Sequence, residues 1–147
     1  MDITATFTIV GAGVFFLTGL VTGVIKYRQI MASDQGQAHP YIDICHRASL
    51  LYAFASILLL TFVEISQLPV IVELVSVSAL LLYFAASILI YLIHGLLKDT
   101  DNQLRRPFKL GHRRVPGPLI SVFMWTLIAA EMGGFLVLFY GVLLEVL

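Results

Sequence analysis

The sequence has 147 residues, of which 59% are hydrophobic and only 12% are charged, and its formal net charge at pH 7 is +0. Soluble domains carry roughly a quarter charged residues, so this composition excludes an ordinary water-solvated surface. It also excludes nucleic-acid binding, which needs a strongly basic face on a soluble module. The single cysteine, Cys45, cannot form a disulfide within the chain.

Four apolar stretches follow one another, at about 4–25, 48–68, 70–97 and 118–143. Each has the length of about 20 residues that crosses a hydrocarbon core of about 30 Å. In lipid such segments form helices, because each backbone polar group must find its partner inside the segment. The sequence therefore predicts an all-α integral membrane protein, a four-helix bundle that forms a single transmembrane domain over residues 1–147.

All nine basic residues lie in two predicted loops, at about 26–47 and 98–117, whereas the termini and the short turn around Pro69 have none. Cytoplasmic loops of membrane proteins are enriched in lysine and arginine. This bias predicts that both loops face the cytoplasm and that both termini face outward.

Polar side chains recur on the predicted second and third helices. The residues on helix three share one face, and those on helix two form a second polar stripe next to it. The helix-three residues are Ser76, Tyr83, Ser87, Tyr91 and His94, and the helix-two residues are Ser49, Tyr52 and Ser56. Polar groups at bilayer depth face the bundle interior, so we expect a polar seam that lines a cavity or only bonds the two helices together. Glu131, midway along helix four, is expected to be protonated or paired at that depth and is a functional candidate.

His46 lies at the predicted start of helix two, beside Arg47, and His94 lies at the matching end of helix three. A zinc site needs three or four converging ligands. Successive residues of a helix point about 100° apart, so Asp43, Cys45 and His46 do not converge. A haem iron needs one or two axial ligands, an apolar slot and a cation for the propionates. His46 and Arg47 meet that requirement, but a histidine that only caps a helix at the membrane boundary fits the same position.

Three stretches resemble the styrene oxide isomerase family of small four-helix bacterial membrane proteins. They are CHRASLLYAF (45–54), YFAASILIY (83–91) and DNQLRRPFKLG (101–111). The resemblance implies a homotrimer in the bacterial inner membrane that binds haem b between its subunits. It implies that His46 is the iron ligand, and it adds Asn102, in the turn after helix three, to the cofactor-binding candidates Arg47 and His94.

The same resemblance implies where catalytic residues would lie. Tyr91 matches a tyrosine near the family's active site, Tyr83 stands in place of an aspartate, and Tyr52 stands in place of an asparagine that contacts the substrate. The implied activity is a haem-dependent, Lewis-acid isomerisation of an epoxide to an aldehyde, on a small apolar substrate. The two tyrosine replacements indicate a diverged branch of the family.

Two alternatives stay open at this point. One is a non-catalytic haem protein for electron transfer, gas sensing or haem carriage, in which His94 or His39 supplies a second axial ligand. The other is a structural membrane protein without a cofactor, in which the polar seam only joins helices and the histidines are caps.

Overall fold

Four long helices make up most of residues 2–147, the residues that this computed structural model describes. They are α1 (Ile3–Met31), α2 (Pro40–Ile65), α3 (Val70–Leu97) and α4 (Gly117–Val146), and an antiparallel hairpin of β1 (Lys109–Leu110) and β2 (Arg113–Arg114) precedes α4. Each helix contains a stretch with a mean hydropathy of 2.0 to 2.2 and is long enough to cross a membrane. The predicted all-α, multi-pass membrane architecture is confirmed at this level.

Local sequence signals explain where the first two helices begin. The Asp2 side chain accepts a hydrogen bond from the Ala5 N–H at 2.7 Å and so caps α1. His39 caps α2, since its Nδ1 accepts from the Tyr41 N–H at 3.3 Å. Pro40 follows at the first helical position, where its missing N–H costs nothing.

The helices extend beyond the predicted apolar stretches at one end of the bundle. This end, which we call the loop end, carries the two longer connections, 32–39 and 98–116. There α1 continues past residue 25 to Met31, and α2 begins at Pro40 instead of near residue 48. Hydropathy marks only the part of a helix that fits the hydrocarbon core, whereas polar residues continue the same helix into the interface.

The two polar extensions are joined by an ion pair between Lys26 of α1 and Asp43 of α2, at 2.6 Å. Because α2 begins at Pro40, His46 lies well inside the helix and not at its start. The β1–β2 hairpin in the second connection was not expected from the sequence. Its strands have two residues each, too few for an alternating pattern to be recognisable.

The α2 and α3 helices form the centre of the bundle. The α1 helix packs mainly on α2, and α4 packs on α3 and less extensively on α2. The core includes Phe15, Leu59, Val77, Leu80 and Leu138, which are all buried. Large apolar side chains also cover the outside of the bundle, as a lipid bilayer environment requires.

Gly95 lets α3 approach α2 at the loop end. A Cβ atom at this position would lie 2.7 Å from the Ile42 side chain and 2.9 Å from the Ile42 backbone nitrogen. A side chain can rotate away from such a contact, but a backbone nitrogen in a helix cannot. The contact between α2 and α3 therefore depends on the missing side chain.

We expect Gly95→Ala to lower the free energy of unfolding by about 1–3 kcal/mol, the usual cost of overpacking. Gly133→Ala is the matched control, because a Cβ atom at Gly133 meets nothing within 4 Å. Unfolding in mixed micelles, followed by circular dichroism, measures both variants. Equal stabilities of the two variants would show that α2 and α3 do not meet at Gly95.

Candidate functional site

His46 joins α2 to α1. Its Nδ1 lies 2.8 Å from the carbonyl oxygen of Gly19. The imidazole lies against Gly23, where a Cβ atom would be 3.0 Å from Cε1 of the ring. The two glycines therefore do more than bring helices together, since they provide the carbonyl and the space that His46 occupies.

The hydrogen bond fixes the form of the His46 ring. A carbonyl oxygen only accepts, so Nδ1 must carry the hydrogen and donate it to Gly19. In the neutral imidazole, Nε2 then carries a lone pair. Histidines that bind metals almost always have this arrangement, with the distant nitrogen hydrogen-bonded to a carbonyl or carboxylate.

A small charged network lies one turn from His46, towards the loop end. Asp43 forms ion pairs with Lys26 at 2.6 Å and with Arg47 at 2.6 Å. The Arg47 side chain is exposed. Two cations and one carboxylate leave a net charge of +1 in this network, which makes it electrostatically suited to a further anionic group.

Two serines of α2 in the predicted polar seam do not join that helix to its neighbours. Ser49 and Ser56 are fully buried, and each donates to the backbone carbonyl four residues earlier in α2, both at 2.7 Å. Such bonds satisfy a hydroxyl within its own helix. The seam is therefore not held together by these serine hydroxyls.

Tyr52 and Tyr91 belong to this interior. The Tyr52 ring stacks on Phe84, with 4.1 Å between ring centroids, and the Tyr91 ring stacks on Tyr41 at 5.9 Å. Glu131 of α4 is near enough to both phenols to interact with them electrostatically. Its Oε1 is buried and has no hydrogen-bond partner among residues 2–147.

The predicted catalytic tyrosines and His46 do not share one contact region. Tyr83 packs against Phe123 of α4, with 5.8 Å between ring centroids. Tyr52 and Tyr91 face α3 and α2, whereas His46 faces α1. Within one chain, the tyrosines and the proposed iron ligand therefore lie on different sides of α2.

His94 belongs to a separate cluster at the loop end. Its Nδ1 lies 2.8 Å from Oδ1 of Asp99, and both side chains are buried. The other carboxylate oxygen of Asp99 accepts from the Gly111 N–H at 2.5 Å. The Tyr41 ring lies beside His94, with 5.3 Å between centroids, and its hydroxyl accepts from the Gln103 N–H at 2.6 Å. This cluster attaches the connection 98–116 to the helices.

The ionisation of Asp99 follows from these contacts. Burial raises the pKa of this carboxyl, but hydrogen bonds from His94 and the Gly111 N–H outweigh the effect, so the pKa lies below its ordinary value. Asp99 is therefore a carboxylate at neutral pH. Because a carboxylate only accepts, Nδ1 of His94 carries the hydrogen between them.

The remaining polar candidates have local structural roles. Asn102 is exposed, and its Oδ1 accepts from the Leu104 N–H at 2.9 Å within a turn. His39 caps α2; burial, and then the nearby charge of Lys98, lower its pKa. His112 is exposed at the turn of the hairpin.

Metal ligands do not cluster in the part of the chain that the structure describes. Among residues 2–147, no three His, Cys, Asp or Glu side chains come together in a way that could hold a metal ion. A haem differs from such a site, because its porphyrin supplies four ligands and the protein supplies one or two.

No protein-family model, curated protein or solved structure matches this chain. The resemblance based on short motifs therefore stays a prediction.

Sequence reasoning missed Tyr41, Asp99 and Gln103, although all three belong to the loop-end cluster. Asp99 follows His94 by five residues and lies just past the end of α3. That spacing places a carboxylate near the ring only if the chain turns back at once, and Lys98 adopts the left-handed conformation that makes this turn. The sequence gives little sign of such a turn, because a lysine there is uncommon.

We expect Asp99→Asn to lower the free energy of unfolding by about 1.5–3 kcal/mol at neutral pH, since hydrogen bonds to the buried carboxylate are weakened. The folded pKa is depressed, so the stabilisation is fully present above 3.8, the ordinary pKa of the group, and is lost as the pH falls through the lower folded value.

Asp101→Asn is the matched control. Its ion pair with Arg105 is exposed, and such pairs contribute less than about 1 kcal/mol. Unfolding in mixed micelles at several pH values compares the two variants. Identical pH profiles for both variants would contradict the assigned role of Asp99.

Proposed function

We propose that this chain is a haem-binding membrane protein and that His46 is the axial ligand of the iron. The observation that supports this most directly is the 2.8 Å contact between Nδ1 of His46 and the carbonyl oxygen of Gly19. It orients the ring and holds it in the tautomer whose Nε2 can bind a metal.

The surroundings of His46 suit a flat apolar group with an acidic edge. Arg47, Leu51, Phe54 and Leu58 share one face of α2 by helical spacing, and all four are exposed. An apolar strip therefore runs along the helix beside His46 and has a cation at its loop end. A porphyrin needs the same order, with its ring on apolar side chains and its propionates near cations.

Different residues of the chain would bind the iron, leave space for the ligand ring and provide positive charge for the haem propionates. His46 donates one hydrogen to Gly19 and offers the opposite nitrogen, and Gly23 leaves room for the ring to keep that orientation. Arg47 and Lys26 provide positive charge that Asp43 only half neutralises. A haem bound through one histidine supplies an open iron position for Lewis-acid chemistry, gas binding or electron transfer.

An epoxide isomerase activity on a small apolar substrate is the reaction that the family resemblance implies for such a haem. Within one chain, however, Tyr52 stacks on Phe84 of α3, Tyr91 stacks on Tyr41 of α2 and Tyr83 packs on Phe123 of α4, whereas His46 contacts α1. Binding of the haem is therefore the function that the contacts support, and the isomerisation stays a prediction from the resemblance.

The proposal also covers the orientation of the chain in the membrane and its oligomeric state. All nine basic residues belong to the loop end or its flanking helical turns, so we propose that this end faces the cytoplasm of a bacterial inner membrane. The α4 helix has the smallest buried share of the four, which suits contact with further copies in a homotrimer. Labelling of single-cysteine variants from each side, and cross-linking in native membranes, test the two statements.

We expect the wild-type protein, purified in detergent and supplied with haem, to show a Soret band that His46→Ala removes. His112→Ala is the control, because this histidine is exposed on the hairpin. Absorption spectra of the three proteins at equal concentration provide the measurement. A wild-type protein without the band, or an undiminished band in His46→Ala, would contradict the proposal.

A second pair of variants tests the position of the His46 ring without replacing His46 itself. Gly23→Val introduces atoms where the His46 ring lies, whereas Gly13→Val, on the same helix, adds its Cβ where nothing lies within 4 Å. We expect the first to weaken haem binding at least about tenfold and the second to leave it unchanged. Equal haem affinities would show that the ring does not need its place on Gly23.

A further inference from the structure

A small cavity lies at the loop end, between the end of α3, the beginning of α4 and the β1–β2 hairpin. Its volume is about 160 Å³. Most of its wall is apolar and is formed by Ile90, Leu110, Val115, Ile120, Phe123 and Met124. An engineered apolar protein cavity of about 150 Å³ binds benzene, so this cavity has the size of one six-membered ring.

The polar part of the wall consists of His94, Gln103 and Lys109. His94 is buried, and its Nδ1 is occupied by Asp99. In the neutral ring, Nε2 is therefore an acceptor and the nitrogen still available for a ligand. The buried hydrogen bond to Asp99 fixes the orientation of this acceptor, much as a carboxylate orients a catalytic histidine.

Gln103 gives a second, independent sign of a missing partner. Its side-chain Oε1 is buried without a hydrogen-bond partner among the residues that the structure describes. An unsatisfied buried acceptor costs about 1–3 kcal/mol. Nε2 of His94 and Oε1 of Gln103 are two acceptors in a mostly apolar wall, and they indicate a ligand that brings a hydrogen-bond donor.

We propose that this cavity binds a neutral monocyclic phenol, whose hydroxyl donates a hydrogen bond to Nε2 of His94 and whose ring fills the apolar space. A phenol combines the required ring size with a strong donor. Lys109 also lines the cavity, but a carboxylate has no hydrogen to donate to Nε2 of His94, and the charge of Asp99 lies directly behind that ring. His94 lies near the end of α3 and contacts Asp99 in the connection that follows, whereas His46 of α2 contacts Gly19 of α1, so this site is separate from the proposed haem site.

Fluorine NMR with 4-fluorophenol as the probe tests the proposal. The haem-free full chain is placed in phosphatidylcholine nanodiscs at mildly alkaline pH, where an ordinary imidazole is neutral. Empty nanodiscs correct for partition into lipid. The comparison probes are 4-fluoroanisole, which has no hydroxyl hydrogen, and 4-fluorobenzoate, which is an anion.

We expect saturable binding of 4-fluorophenol that is at least about tenfold tighter than that of either comparison probe, the difference of one net hydrogen bond. Val115→Phe should abolish it by filling the cavity, and His94→Leu should weaken it about tenfold. His112→Leu, in the exposed turn, should leave it unchanged.

Three results would overturn the proposal. They are partition equal to that of empty nanodiscs, equal or tighter binding of the anisole or the benzoate, and binding that survives Val115→Phe. If His94→Leu fails to fold, the comparison of probes and the Val115→Phe variant still decide the question, because neither disturbs the pair of His94 and Asp99.

Discussion

The hydrocarbon core of a membrane offers no hydrogen-bond partner, so every polar side chain at that depth needs one within the protein. This constraint accounts for most of the polar contacts in the bundle. Ser49 and Ser56 donate to their own helix, and His46 uses the carbonyl of Gly19 in the neighbouring helix. Thr4 and Glu131 are exceptions within the helices, because Oγ1 of Thr4 and Oε1 of Glu131 are buried without a partner in the described part of the chain.

The polar side chains of α2 lie in two different regions, one towards α1 and one towards α3. Towards α1, the helix presents a single polar ring against two glycines, and the exposed apolar strip of Phe54 and Leu58 runs beside it. Towards α3, it presents phenols and hydroxyls to a tightly packed interior. The second region is filled by stacked rings, whereas Phe54 and Leu58 are exposed, so the proposed haem is assigned to the first region. The proposed haem site on α2 and the tyrosines of α2 and α3 are therefore separate features of the bundle.

The helices were predictable because length and hydropathy follow from the membrane itself. The contacts of single side chains were less predictable from the sequence. Gly19 and Gly23 indicate a close approach, but which ring enters the gap depends on how α2 is rotated about its axis, and that rotation is set by packing. Tyr52 and Tyr91 pack against the interior, as the predicted polar seam of helices two and three requires, whereas Tyr83 packs on α4. The loop-end cluster was missed because Asp99 meets His94 only through a tight turn.

The central claim is that His46 is a metal ligand held in position by Gly19. Nitrogen NMR of the histidine rings, in protein labelled with ¹⁵N-histidine, tests it most directly. Before haem is added, His46 should show a protonated Nδ1 and an unprotonated Nε2. On titration with ferric haem, its ring signals should broaden first, while those of the exposed His112 persist. Ring signals of His46 that stay sharp while haem binds, or an initial tautomer with its hydrogen on Nε2, would contradict the account.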